Sequence, residues 1–574
     1  MRKFLRSVSA AALGAVIVLA APAPSAAESL AGSYLAGRSA AVQNDIEAAS
    51  RYYAAALARD PSNVELMDNV ALAYIALGQI DRAMPLGRAI VNAGQSSQAA
   101  RMAITAGLVE AGDFEALAAQ EIQTEGISPW VDGLVRAWAL IGADDIAAGI
   151  AQFDAVSADG AMGGVINFHK ALALATVGRY EEAEALFEAQ APGAAARTRR
   201  GALVRVEILS QLGRNDDAKT MIDLAFNGTT DLEIDAILAR LADGETLPFT
   251  HAPTAQAGVA EVFYTFAALL RAEGASEYYT LLHARIARHL RADNVDTILL
   301  TASVLEDMGQ HQLAIAEYRA VKEDDPAHHV AELGRAAALR QLGKVDQAIE
   351  VLEQLTRTHG DVAVVHSTLG DTLRSEDENQ QAVVSYTRAL ELMAEGDERK
   401  WFLYFSRGIA YSRDGDTVTA EDDFRAALAI NPDQPQVLNY LGYSLVEEKR
   451  LLDEALDMIE RAVAASPDSG YIVDSLGWVY YRLGRYDEAV VQMERAVELE
   501  AVDPVINDHL GDVYWAVGRK REAQFQWQRA LSFIDYGKTD TEAEPDRIRR
   551  KLEIGLDLVL EEEGAPPLKV ANEG

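Results

Sequence analysis

Residues 471–527 repeat themselves after 34 positions. Leu476 and Gly477 return as Leu510 and Gly511, Tyr480 as Tyr514, Gly484 as Gly518, Ala489 as Ala523, Met493 as Trp527 and Ala496 as Ala530. Within each period the apolar residues recur at helical spacing, so a period reads as two amphipathic helices. In the first, helix A runs from Tyr471 to Leu483 and helix B from Tyr486 to Leu499. Gly477 and Ala489 are small because the two helices cross closely there. Gly484 stands just past helix A, where a left-handed residue ends a helix. One such hairpin cannot cover its own apolar face, so successive hairpins must stack.

A 34-residue period with Leu-Gly, a Tyr three residues on, then a turn Gly, an Ala and a bulky residue resembles the tetratricopeptide repeat. The resemblance implies an all-α fold, a right-handed α-solenoid of about a dozen stacked hairpins. The same marks run upstream. Unit 401–434 has Gly408, Tyr411, Gly415, Ala420, Phe424, Ala427 and Pro432; unit 435–469 has Gly442, Ala455, Ile459 and Pro467, with one residue inserted before helix B. Further back lie Gly370 with Tyr386, Gly343 with Leu352, and Gly309 with Tyr318, with an insertion at Met393–Arg399. In residues 28–228 the pattern is degenerate. It is clear at Gly178–Phe187 and Gly213–Ile222, recognisable at Gly78 and at Ala49–Pro61, and reduced to helical periodicity around Gly112 and Gly142.

Residues 229–258 break the period. A helix at Leu232–Leu241 is followed by Gly244, Pro248, His251 and Pro253 in a polar loop. This reads as an insertion between repeats, with a hinge or partner-touching loop as the sharper alternative. Repeats resume over 259–400, and the best-conforming ones occupy 401–537. A linker and a capping helix, Arg547–Leu560, follow over 538–560, with Ile548, Leu552, Leu556 and Val559 on one stripe; 561–574 reads as a disordered tail. At the other end, Arg2, Lys3 and Arg6, an apolar run to Ala21 and the small residues Ser25–Ala27 read as a cleavable signal peptide over 1–27, with an uncleaved membrane anchor as the alternative, so the expected location is the periplasm.

The formal charge of −36 argues against nucleic acid and anionic lipid, which both need clustered Lys and Arg. There is no Cys, hence no disulfide and no thiolate metal site. No phosphate loop, nucleophile elbow or zinc-protease motif is present, and the 10 His are scattered, so the sequence calls for no cofactor, no metal and no catalytic residue. The expectation is a binding protein and not an enzyme.

In the tetratricopeptide family the A helices line a concave groove. The resemblance places Asn439, Tyr443, Tyr471, Asp474, Trp478, Tyr481, Arg482, Asp508, Asp512 and Trp515 there. Trp478, Tyr481 and Trp515 would form an aromatic track, flanked by Asp474, Asp508 and Asp512, that suits a peptide with basic residues. The lysines of a carboxylate clamp are absent. The stretch Asn439–Ala523 also resembles exported proteobacterial repeat proteins that act as adaptors. That resemblance implies other proteins as partners, namely a carboxy-terminal processing protease and cell-wall hydrolases. Those adaptors carry a lipobox Cys, which this chain lacks, so membrane association is not carried over. The reading is an exported scaffold that docks partners in its groove by multivalent contact. The alternatives are an assembly or export factor for envelope polysaccharide machinery and, less favoured, an enzyme.

Overall fold

The computed structural model describes residues 29–120, 126–156, 161–189, 198–226, 231–535, 543–565 and 568. Over these residues the chain is all-α, with 31 helices and no strand. The proposed signal peptide lies outside the described residues, as does most of the proposed tail. No helix among the described residues is long and apolar enough to cross a membrane.

The chain divides into two compact units, 1–345 and 346–574. In the first, hairpins follow one another as α1 (Leu30–Val42) and α2 (Ile46–Leu57), α3 (Val64–Ala76) and α4 (Ile80–Asn92), α5 (Gln98–Glu110) and α6 (Phe114–Ala118), α7 (Pro129–Gly142) and α8 (Ile146–Ala155), α9 (Ala161–Thr176) and α10 (Tyr180–Ala189), and α11 (Arg199–Gln211) and α12 (Asn215–Phe226). After the single helix α13 (Leu232–Ala242) come α14 (Ala255–Ala272) and α15 (Glu277–Leu290), α16 (Val295–Asp307) and α17 (His311–Tyr318), and α18 (His328–Gln341). The second unit holds α19 (Val345–Thr358), α20 (Ala363–Ser375) and α21 (Asn379–Leu392), α22 (Lys400–Arg413) and α23 (Thr417–Ile430), α24 (Pro435–Glu447) and α25 (Leu452–Ala465), α26 (Gly470–Arg482) and α27 (Tyr486–Leu499), α28 (Pro504–Ala516) and α29 (Lys520–Phe533), then α30 (Pro545–Ile554) and α31 (Leu556–Glu562).

The period is visible bond by bond. At the end of α26 the Gly484 amide donates to Tyr481 O and the Arg485 amide to Tyr480 O, with Gly484 at φ +75°, the paired closure that satisfies the last carbonyls of a helix. Gly518 and Arg519 do the same at the end of α28. Tyr480 Oη donates to Glu460 and Tyr514 Oη to Glu494, while Arg485 and Arg519 stack on those two rings. Where the turn glycine is missing, Asn44, Asp144 and Asp377 take the left-handed conformation, the residue types that tolerate it best. That is why the degenerate hairpins keep their geometry. The inserted residue before α25 is absorbed by left-handed Lys449 and Leu451.

The helix crossings are closer than a small-residue contact alone requires. A Cβ at Gly477 would lie 2.8 Å from Met493 Cγ, and one at Gly511 would lie 2.4 Å from the Trp527 ring. The glycine therefore makes room for the bulky residue of its own helix B. Gly408 with Phe424 and Gly370 with Tyr386 repeat the arrangement.

The break at 229–258 does something other than space two repeats. The loop after α13 is fixed in place. Glu207 on α11 accepts from the Thr250 amide and hydroxyl and lies 2.9 Å from His251 Nδ1; Leu247 N donates to Ser210 Oγ, and Thr176 Oγ1 to Ala252 O. The chain then turns back. α14 packs on α5, α7 and α9, and α15 packs on α3 and α5. These are the A helices of four earlier hairpins, so the α14–α15 hairpin occupies the inner face of the first unit. Val259, Val262, Phe263 and Phe266 of α14 are buried there, and a Cβ at Gly258 would lie 2.2 Å from the buried Trp138 ring. The hinge alternative is not what the loop's bonding describes.

The capping helix is broken in two. Gly555, at φ +88°, ends α30 and starts α31, and it also makes room for Trp515: a Cβ there would lie 2.5 Å from that ring. Ile548, Leu556 and Val559 of the predicted stripe are buried. The proposed tail begins later than expected, since α31 runs to Glu562.

Candidate protein-binding site

The ten residues placed in the groove by their repeat positions fall into two clusters and a few separate side chains. The first cluster belongs to α26. Trp478 stacks on Tyr481 with ring centroids 4.8 Å apart and on His509 of α28 at 4.0 Å. His509 Nδ1 lies 3.0 Å from a carboxylate oxygen of Asp474, which is buried. The half-buried Trp478 donates its indole N–H to Glu447 Oε1 at the end of α24, over 2.8 Å, and Arg482 lies 4.0 Å from the same oxygen. Burial, with Asp512 nearby, pushes the Tyr481 phenol well above its ordinary range, so it stays a neutral donor.

The second cluster belongs to α28, and it is closed. Asp508 and Asp512 are buried, and Lys551 of α30 sits between them with its ammonium fully buried. Lys551 Nζ lies 2.9 Å from each Asp508 oxygen and 2.7–2.8 Å from the two Asp512 oxygens. Asp512 also accepts the indole N–H of Trp527 at 2.9 Å, and Arg547 stands 3.8 Å away. Trp515 donates to Asp557 of α31 and carries Lys520 over its ring at 4.5 Å. Two expectations are corrected by this. Asp508 and Asp512 do not flank an open trough, because the chain's own cap fills it. Trp478, Tyr481 and Trp515 do not form one continuous track, because Trp515 joins Trp527, 5.3 Å away, beneath Gly555.

The remaining residues are separate. Tyr471, at the start of α26, is 58% exposed and so is free to contact a partner. Asn439 and Tyr443 on α24 are half-buried, and Asn439 Oδ1 is buried without a hydrogen-bond partner among the described residues. Sequence reasoning missed His509, Glu447, Lys551 and Gly555. The repeat register held a signal for His509, since Asp474 and His509 are neighbours on adjacent A helices. Nothing periodic marks Lys551.

One other polar group comes together in the first unit. Asp81, Glu110 and His289, from α4, α5 and α15, have ligand-type atoms within 4.8 Å of one another. The two acids are exposed, and the geometry is that of a surface polar contact, His289 Nε2 lying 3.3 Å from Glu110.

Known proteins share the repeat. Descriptions of the tetratricopeptide repeat match residues 34–100, 405–470 and 452–504, a second such description matches 305–371, and a third matches 168–189. A TPR repeat-containing protein of Pseudomonas aeruginosa is 28% identical over 156 residues, 27% of this chain and 26% of that protein. Human tetratricopeptide repeat protein 13 is 26% identical over 193 residues, 33% of this chain and 22% of that protein. The matched region thus spans about a quarter of the length of these curated relatives. Among solved structures, the APC/C hetero-tetramer Cut9–Hcn1 is similar at 15% identity and a TM-score of 0.38, over 91% of this chain and 96% of that one. The hairpins and their glycine–aromatic crossings agree with the family models: residues 34–100, 168–189, 305–371 and 405–504 match the tetratricopeptide repeat.

Proposed function

We propose that this chain is a protein-binding scaffold and that α24 and α26 of the second unit present its docking surface. One observation carries the reading. Trp478 is a half-buried indole, preorganised by stacking on Tyr481 and His509, beside the exposed carboxylate of Glu447. Rigid aromatic rings dominate contact energy at interfaces because they bury large area at little entropic cost. An acidic neighbour selects a partner segment with a cation.

The finer reading follows from the residues of Asn439–Ala523. The chain is exported to the periplasm and brings a carboxy-terminal processing protease to its substrates, cell-wall hydrolases among them. The catalytic chemistry then belongs to the partner, and this chain supplies proximity.

Purified wild-type chain and Trp478→Ala are each presented to the candidate protease and a wall hydrolase. Retention of both by the wild type, with at least tenfold weaker retention by the variant, supports the reading. Equal retention by the two chains, or retention of neither, overturns it.

A further inference from the structure

The closed cluster on α28 has the composition of a recognition site with its ligand in place. Two buried carboxylates on one A helix face each other across a single ammonium, an indole N–H caps one of them, and a second ring, Trp515, lies flat under a glycine. We propose that the inner face of α28 is a docking site for a lysine-bearing amphipathic helix, and that α30 is its resident occupant, displaced when a partner helix brings the same chemistry. The proposal rests on the reading above that the second unit's inner face binds proteins, and it adds how that face is regulated.

Three observations carry it. First, ionic contacts join the two helices of the cap to each other. Arg547 pairs with Glu563 at 2.7 Å and Arg550 with Glu562 at 2.6 Å, so α30 and α31 are clasped to each other. The contacts to the repeats centre on Lys551, with Arg547 near Asp512, Lys520 near Asp557 and the Trp515 indole on Asp557. The cap is thus one piece. Second, the apolar anchor is short: Ala543, Ile548, Leu556 and Val559 are buried, with Leu552, Leu560 and Leu568 half-buried against the same core, around helices of 10 and 7 residues. Third, the energetics favour exchange over release. A buried ion pair contributes little net stability against solvated ions, yet removing one partner alone strands an uncompensated buried charge. Replacing Lys551 by another ammonium conserves every bond at Asp508 and Asp512. A helix without a cation in register leaves two buried carboxylates uncompensated and is rejected.

The probe is a labelled synthetic peptide with the sequence of residues 543–565, added to the full-length chain and read by fluorescence anisotropy. The Lys551→Ala chain, whose own cap has lost its ammonium, is expected to bind the peptide at least tenfold more tightly than the wild-type chain. The same peptide carrying Lys551→Ala is expected to bind neither. Failure of the wild-type peptide to bind the Lys551→Ala chain overturns the proposal, whether the cap stays seated or the repeats unfold with it. A second measurement needs no variant. In native-state hydrogen exchange of the wild-type chain, amides of α30 and α31 should exchange at least tenfold faster than those of α28 and α29. Exchange of all four helices together makes the cap part of the core and overturns the proposal. Neither readout involves the protease or Trp478, so the outcomes are separable from those of the scaffold test.

Discussion

The inner face of the first unit and that of the second are made from the same kind of A helices, and they meet different fates. In the first, α14–α15 lies against α3, α5, α7 and α9 and turns the face into core, with Trp138 buried against Gly258. In the second, α30 covers the last A helix around one lysine, while the Trp478 shelf one repeat earlier stays half-buried. A repeat surface becomes a core or a site according to what the chain lays on it. Apolar cover over four hairpins makes core; a short helix centred on an ion cluster is the cover proposed to exchange.

The sharpest way to break this contrast is at Gly258. Gly258→Leu sets a branched side chain against an indole that cannot move, and should cost the first unit about 3 kcal/mol or more. Hydrogen exchange should show protection lost across α3–α9 and retained in α26–α29. Loss confined to α14 itself would mean that the hairpin is an ornament on the face and not its core.

The next effect is acid-linked. His169 on α9 is fully buried, and neither ring nitrogen meets a hydrogen-bond partner among the described residues. Burial, with Arg200 adding to it and Glu261 opposing, pushes its pKa down to about 4. The unfolded chain takes up this proton near pH 6.5, and the folded one does not until near 4. The stability tied to neutral His169 is therefore complete above pH 6.5 and falls by about 3 kcal/mol as the pH drops to 4. Urea midpoints should follow that window, and His169→Leu should flatten it. An unchanged slope in the variant would place the acid sensitivity elsewhere.

A smaller change tests the loop that sends the chain back. Glu207→Ala removes the acceptor shared by Thr250 and His251 and should cost about 2 kcal/mol, seen as a lowered melting temperature. A loop that serves as a hinge would loosen without that loss. The smallest stability effect belongs to the open face. Trp478→Ala should change stability by about 1 kcal/mol, consistent with a half-buried ring, while weakening partner binding. A large drop in melting temperature would instead make Trp478 a core residue of the second unit.

What the sequence disclosed was what repeats. Gly484, Gly518, Gly477 and Tyr480 recur at fixed intervals because each hairpin solves the same local problem, so the helices, turns and crossings were legible. Contacts that occur once leave no such trace. Lys551 reaches Asp512 across 39 positions, and Gly258 meets Trp138 across a break in the pattern, so neither the plugged groove nor the buried hairpin could be seen. Repeat positions told which side of α28 the carboxylates occupy. They were silent on what would arrive to neutralise them.

Arg285 ties the hairpin to the start of the first unit by donating to Ala76 O, 209 positions earlier. A stack that relies only on adjacent hairpins can settle stepwise as it leaves the ribosome. This one cannot finish in that order. The inner side of the early hairpins stays uncovered until α15 folds back on them, and that long closure costs entropy before any contact rewards it. The inner face of the first unit is therefore completed last, by a closure that spans most of that unit.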